Sequence, residues 1–267
     1  MTASETPERP TPRPDTHRAA SDLPEILQLD FSDLRHAFSA GVNDFLRAPQ
    51  FGLFFSAVYV LGGFLMIWLS AGHVVWTLVV SLGFPLWAPF AAVGLYEVSR
   101  RLETGQPLRW SEVLGVVWAE RGRQVPWLGA IIVIYFLFWT FLAHMLFALF
   151  MGLSPMTNIS ENYDVFLTGP GLRMIGTELA VGAILAFFLY SFTVVSLPML
   201  LDKELDFITA MLHSISTVRE NLPVMLAWAV LIAVLSLVAM VPWFLGLVVV
   251  LPVLGHATWH LYRRALG

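Results

Sequence analysis

His256 and His260 stand four residues apart, so on a helix both imidazoles project from one face and could share a metal ion or flank the edge of a haem. Two ligands are not a site. The chain has no Cys, no HExxH pair and no GxSxG elbow, and a haem-copper centre needs several more histidines spread over other helices. Both imidazoles are therefore expected to pack at an interface, with no metal and no cofactor. Superposing Arg100-Arg101 on Arg263-Arg264 aligns Pro89 with Pro252 and Glu97 with His260. Ionisable groups at membrane depth face protein or water, so Glu97 and His260 are expected to approach one another, unless each anchors its own helix end in water. Asp202, Glu204 and Asp206 surround Lys203. A cation site there is one reading; the simpler one makes Asp206 the N-cap of a following helix. Glu178, close to Arg173, reads as a carboxylate near a helix start.

These residues must be held by apolar helices. The chain is 57% hydrophobic and 13% charged with a mean hydropathy of +0.73, far from the balance of a water-soluble domain. A helix needs roughly 20 apolar residues to cross a core of about 30 Å, and six stretches qualify: 51–70, 74–96, 127–149, 179–201, 223–240 and 244–261. No Asp, Glu, Lys or Arg occurs from Asn221 to Tyr262, which as one helix would be about 60 Å long. A hairpin at Met240-Val241-Pro242-Trp243 divides it, since Pro is poorly tolerated inside a helix and Trp favours the interface. The expected fold is all-α, a polytopic bundle of six transmembrane helices in three hairpins.

Of the 15 Lys and Arg residues, all but Arg173 fall before the first span, after an even span or in the segments that join even to odd spans. Those segments, and both termini, are expected in the cytoplasm. The opposite side holds the turn Ala71-Gly72-His73, the loop with Glu161 and Asp164, and the turn near Pro242.

Pro49, Pro126 and Pro223 each stand just before an odd-numbered span. Ahead of each lies a segment with apolar residues at helical spacing: Leu34, Phe38, Val42, Phe45 and Leu46; Trp110, Val113, Leu114, Val117 and Trp118; Phe207, Ile208, Met211, Leu212, Ile215, Val218 and Leu222. These read as amphipathic cytoplasmic helices, one per hairpin, with proline marking the turn into the bilayer. The units run over about 31–103, 104–203 and 204–267, a parallel threefold repeat. Residues 1–30, rich in Pro and acidic groups, read as a disordered cytoplasmic tail. Trp68, Trp76 and Trp243 are expected in an outer aromatic belt, and Trp127 and Trp259 in an inner one.

The segment Gly94-Leu95-Tyr96-Glu97-Val98-Ser99-Arg100-Arg101-Leu102-Glu103 resembles the DUF2189 family. So do Ser196-Leu197-Pro198-Met199-Leu200-Leu201-Asp202 with Asp206 and Ala210, and the ending Gly255-His256-Ala257-Thr258-Trp259-His260-Leu261-Tyr262-Arg263. The resemblance runs from about Phe31 to the C-terminus. It implies a bacterial integral membrane protein, placed in the inner membrane, and carries no catalytic residues.

Three functions remain open. A non-enzymatic bundle that organises lipid or partner proteins, including further copies of itself, follows from the three interfacial helices. A small-solute channel or transporter is the alternative, with few ionisable groups inside the spans to serve it. A haem- or metal-binding redox subunit comes third. Nothing in the composition points to nucleic acid.

Overall fold

The computed structural model describes residues 23–70, 74–152 and 166–266, with the side chains of 58, 63, 66, 67, 69, 70 and 74–87 outside that description. Residues 1–22, the turn at Ala71-Gly72-His73 and the loop with Glu161 and Asp164 also lie outside it. Every regular element among the described residues is a helix. In chain order these are α1 (Phe31–Arg47), α2 (Pro49–Ser70), α3 (Val74–Glu103), α4 (Trp110–Glu120) and α5 (Val125–Met151). There follow α6 (Gly169–Thr193), α7 (Ser196–Asp202), α8 (Phe207–Glu220), α9 (Leu222–Met240) and α10 (Leu247–Leu266).

Helices occupy all six expected spans, and α2 packs on α3, α5 on α6 and α9 on α10. The number long and apolar enough to cross a membrane is smaller. Among the described residues it is three, namely α5, α6 with α7, and α9, or four if the pair formed by α1 and α2 is included. That pair bends by 97° at Ala48-Pro49, where the proline ring excludes the preceding residue from helical geometry. The expected sixth span begins later and continues further, over Leu247–Leu266: α9 ends at Met240, and the turn that follows, with Trp243 and Phe244 at φ of 53° and 62°, runs to Gly246. Its second half carries His256, His260, Arg263 and Arg264, and apart from His260 and the two arginines its residues are buried in protein.

Two environments divide the molecule. The most apolar stretch of α5 is not buried at all, and Ile134, Phe141 and Leu149 are exposed, a surface suited to lipid. At the other end, α10 sits at the centre, packed against α1, α2, α3, α7 and α9, with Leu254, Ala257, Trp259, Leu261 and Tyr262 in one buried cluster. Lipid tails are as apolar as Leu, so close helix contact requires small residues and hydrogen bonds. Gly41 of α1 supplies one such contact: a Cβ there would lie 2.5 Å from the backbone nitrogen of Ala257. Gly255 supplies another against Leu95, which a Cβ would meet at 2.7 Å.

Pro252, inside α10, has no N–H to give to the carbonyl of Val248 one turn earlier. Ser56 of α2 donates its hydroxyl to that carbonyl at 3.0 Å. The helix break is thereby closed by a neighbour.

The tail expectation requires correction for residues 23–30, which are an ordered extended strap rather than disordered chain. Leu27 N–H donates to the Ala265 carbonyl at 2.8 Å. Asn221, between α8 and α9, accepts from Leu29 N–H at 2.7 Å and donates to the Leu27 carbonyl at 3.0 Å. Asp30 then caps α1, with Asp33 completing a capping box. Ile26 and Leu29 pack against the main core, which composition alone did not reveal.

Candidate functional site

Glu97, His256, His260, Asp202 and Asp206 fall at one end of the bundle, in separate groups. The deeper group joins α1, α3 and α10. His260 Nε2 donates to Asp44 Oδ2 at 2.7 Å, and a carboxylate accepts only, which fixes the ring proton on Nε2. One turn earlier, His256 Nδ1 lies 2.8 Å from Ser99 Oγ. Asp44, Ser99 and His256 are all buried. His256 Nε2, on the side of Leu95, makes no well-formed hydrogen bond among the described residues.

The expected approach of Glu97 to His260 is not made. Glu97 is fully buried and accepts from the guanidinium groups that follow it on α3, Arg100 at 2.8 Å and Arg101 at 2.6 Å. Three and four residues are the spacings at which side chains on one helix meet, so the local partners take the carboxylate. Nor do His256 and His260 share a ligand position, since each turns a nitrogen to a different neighbouring helix. Among the described residues no group of three or more metal-ligating side chains comes together.

Ser99 and His256 lie side by side as a nucleophile and a base would, but without the rest of a relay among the described residues. A relay of that kind needs a carboxylate on the second imidazole nitrogen and an accessible hydroxyl. Here Asp44 is engaged by His260, and both Ser99 and His256 have no exposed surface.

The second group closes the ends of α3, α7 and α10. Trp259 Nε1 donates to Glu103 Oε2 at 3.0 Å, and Arg263 reaches Glu103 Oε1 at 3.3 Å. Tyr262 donates its hydroxyl to Asp202 Oδ2 at 2.8 Å. Arg263 and Lys203 each lie 3.8 Å from the same oxygen. Arg101, which holds Glu97, separately reaches α4 through Glu112. Around a small cavity of about 230 Å³ stand Arg100, Glu103, Gln106, Asp202, Trp259 and Arg263. The walls hold two guanidinium and two carboxylate groups, so they favour a small polar solute over a single-sign ion.

Trp259 is therefore a buried member of this network, 1% exposed, and not part of an aromatic belt. Trp68, Trp127 and Trp243 are exposed; the side chain of Trp76 lies outside the described residues.

Asp206 stands apart. It caps α8, accepting from Thr209 N–H at 2.9 Å, and the Thr209 hydroxyl with that N–H holds its carboxyl below the usual Asp range. Glu120, at the end of α4, goes the other way: burial pushes its carboxyl up, against the pull of Arg123. Arg123 bridges Glu120 to Glu204 at 2.7 Å from the latter, tying α4 to the segment before α8.

Sequence reasoning missed Asp44, Ser99, Glu103, Tyr262 and Asn221. Asp44 carried a signal: it stands among Val42, Phe45 and Leu46 on a helix otherwise ordered by apolar spacing. The others are ordinary polar residues at helix ends, with nothing in their spacing to mark long-range partners.

Residues 77–202 match a family model described as "Predicted integral membrane protein (DUF2189)". The match takes in Gly94–Glu103 and Ser196–Asp202, hence Glu97, Ser99, Arg100, Arg101, Glu103 and Asp202. It stops short of Asp206, Ala210 and the ending from Gly255, to which the resemblance read from the sequence extends. No curated protein and no solved structure gives a match.

Proposed function

We propose that this integral membrane protein is a non-enzymatic bundle that organises lipid, or protein partners within lipid, at the bacterial inner membrane. In this reading six helices cross the bilayer as three hairpins, each preceded by an interfacial helix, with both termini cytoplasmic. The basic residues clustered at the ends of α3 and α10, Arg100, Arg101, Arg263 and Arg264, support that orientation.

The observation that carries the reading is the outward face of the short helices. On α8, Ile208, Leu212 and Ile215 are exposed while Ala210, Ser214 and Thr217 face the bundle. On α4, Trp110, Leu114 and Trp118 are exposed, and the Arg121 guanidinium lies 3.6 Å over the Trp118 ring. Apolar side chains turned outward on both helices, with Ser214 and Thr217 of α8 turned inward, suit a lipid interface with aromatic rings and snorkelling Arg at headgroup level. The chain has no Cys, so single-cysteine spin labels at positions 114, 212 and 214 report their own surroundings. Labels at 114 and 212 should collide with oxygen more than with a water-soluble relaxant. Water-like behaviour at both would overturn the reading.

A small-solute carrier is the second reading, favoured by the polar cavity between Arg100 and Arg263. Flux of small zwitterions into proteoliposomes tests it; transport abolished by Asp202→Asn would put it first.

A further inference from the structure

Between α5 and α6 runs an apolar groove that neither polar group uses. Its wider part, about 560 Å³, lies between Trp139, Ala143 and Leu146 on one wall and Glu178, Gly182 and Leu185 on the other. A second cavity of about 470 Å³ shares Trp139 and Ala143 in its lining and reaches Ile132 and Leu189. Small residues keep the groove open: a Cβ on Gly182 would come within 3.5 Å of the Trp139 ring and meet nothing else within 4 Å.

Among the described residues Glu178 is the single charged one in these walls, and none of them hydrogen-bonds to or pairs with its side chain. Eleven residues of α6 separate it from Leu189, about 16 Å of helix rise. That is about half of a hydrocarbon core of about 30 Å, the depth of one leaflet. An apolar groove of that depth with a carboxylate in its wall matches a single acyl chain below a head that carries an ammonium group. A head without a cationic group would leave the carboxylate without a counter-charge as the lipid displaces water.

We propose that the groove seats one acyl chain of a lipid whose headgroup carries a primary ammonium, of the phosphatidylethanolamine type, with that ammonium on Glu178. The assignment rests on α5 and α6 spanning the bilayer and deepens the lipid-organising reading by naming the lipid. Its failure is separable, because the labels at 114 and 212 report on α4 and α8 and not on this groove.

The test uses the full chain, stripped of lipid in detergent and offered equal amounts of phosphatidylethanolamine and phosphatidylglycerol with identical acyl chains, read by native mass spectrometry. One phosphatidylethanolamine should be retained in preference by about fivefold or more, a ratio worth about 1 kcal/mol. Glu178→Gln should bring the ratio to about one. Gly182→Leu and, from the opposite wall, Ala143→Leu should each deplete the bound lipid while the helical circular dichroism and thermal midpoint stay near those of the parent. If one of these two variants misfolds, the other carries the test. An unchanged ratio in Glu178→Gln overturns the headgroup assignment, and full occupancy in the folded groove-filling variants overturns the groove. A dimer that disappears in those variants would mean that a second copy occupies it, which also overturns the proposal.

Discussion

Asp44 of α1 and His260 of α10 are joined by a hydrogen bond of 2.7 Å, the carboxylate almost fully buried and the imidazole one-fifth exposed. It lies one turn along α1 from Gly41, whose missing side chain lets the two helix backbones approach at Ala257. Close packing excludes water and raises the cost of an unpaired carboxylate, so the contact and the pair depend on each other. Removing either partner leaves the other without its hydrogen bond. A double-mutant cycle of Asp44→Asn and His260→Gln, read as thermal stability in detergent, should give a coupling of about 0.5–3 kcal/mol. Strict additivity would mean the pair contributes nothing as a pair.

Gly41→Leu should be worse than either polar substitution. Even its Cβ would fall 2.5 Å from the backbone of Ala257, and backbone gives way less readily than a side chain. The expected loss is about 1–3 kcal/mol or more, together with detachment of α1 that would appear as new proteolytic cleavage between residues 31 and 47. Protection equal to the parent would show that α1 tilts away without cost.

Ser56→Ala should destabilise by about 1–2 kcal/mol, because Pro252 cannot give the Val248 carbonyl the N–H that an α-helix places one turn ahead and the Ser56 hydroxyl stands in for it. Restoring the helical donor with Pro252→Ala in the same chain should recover part of the loss. If Ser56→Ala costs as much in the Pro252→Ala background as in the parent, the hydroxyl is not compensating for the proline.

Asn221→Leu should free the strap, since its amide both accepts from Leu29 and donates to the Leu27 carbonyl. Limited proteolysis should then cut within residues 23–30 at least several times faster, with the transmembrane portion resistant. Equal cleavage rates in parent and variant would show that Leu27 to Ala265 holds the strap alone.

Asp206 gives a pH-dependent prediction. Hydrogen bonds from Thr209 depress its carboxyl in the folded state. The carboxylate therefore stabilises the fold above the unfolded Asp value of about 3.9, and that contribution is lost as pH falls through the lower folded value. Asp206→Ala should cost about 1 kcal/mol at neutral pH, and the gap to the parent should narrow as pH drops below about 4. A gap that stays constant to strongly acid pH would remove the carboxylate from the argument.

The sequence by itself determined the helical class, the membrane character and the positions of the long helices. Those follow from the length of apolar runs and from proline and charge at their ends, which act within a few residues of chain. Asp206 as a cap was legible for the same reason, since its partner is three residues away. Glu97 was legible as important and misread in its partner, because Arg100 and Arg101 on its own helix outcompete His260 across a helix interface. What only the tertiary structure decided was which helix sits at the centre. The polar second half of α10 resembles a membrane exit in sequence, yet α1, α3 and α7 bury it by supplying Asp44, Ser99, Glu103 and Asp202 to its side chains. Those partners are more than fifty residues distant in the chain, so no local pattern records them. The strap at residues 23–30 was decided the same way: its composition favours disorder, and two hydrogen bonds to Asn221 with one to Ala265 hold it in place.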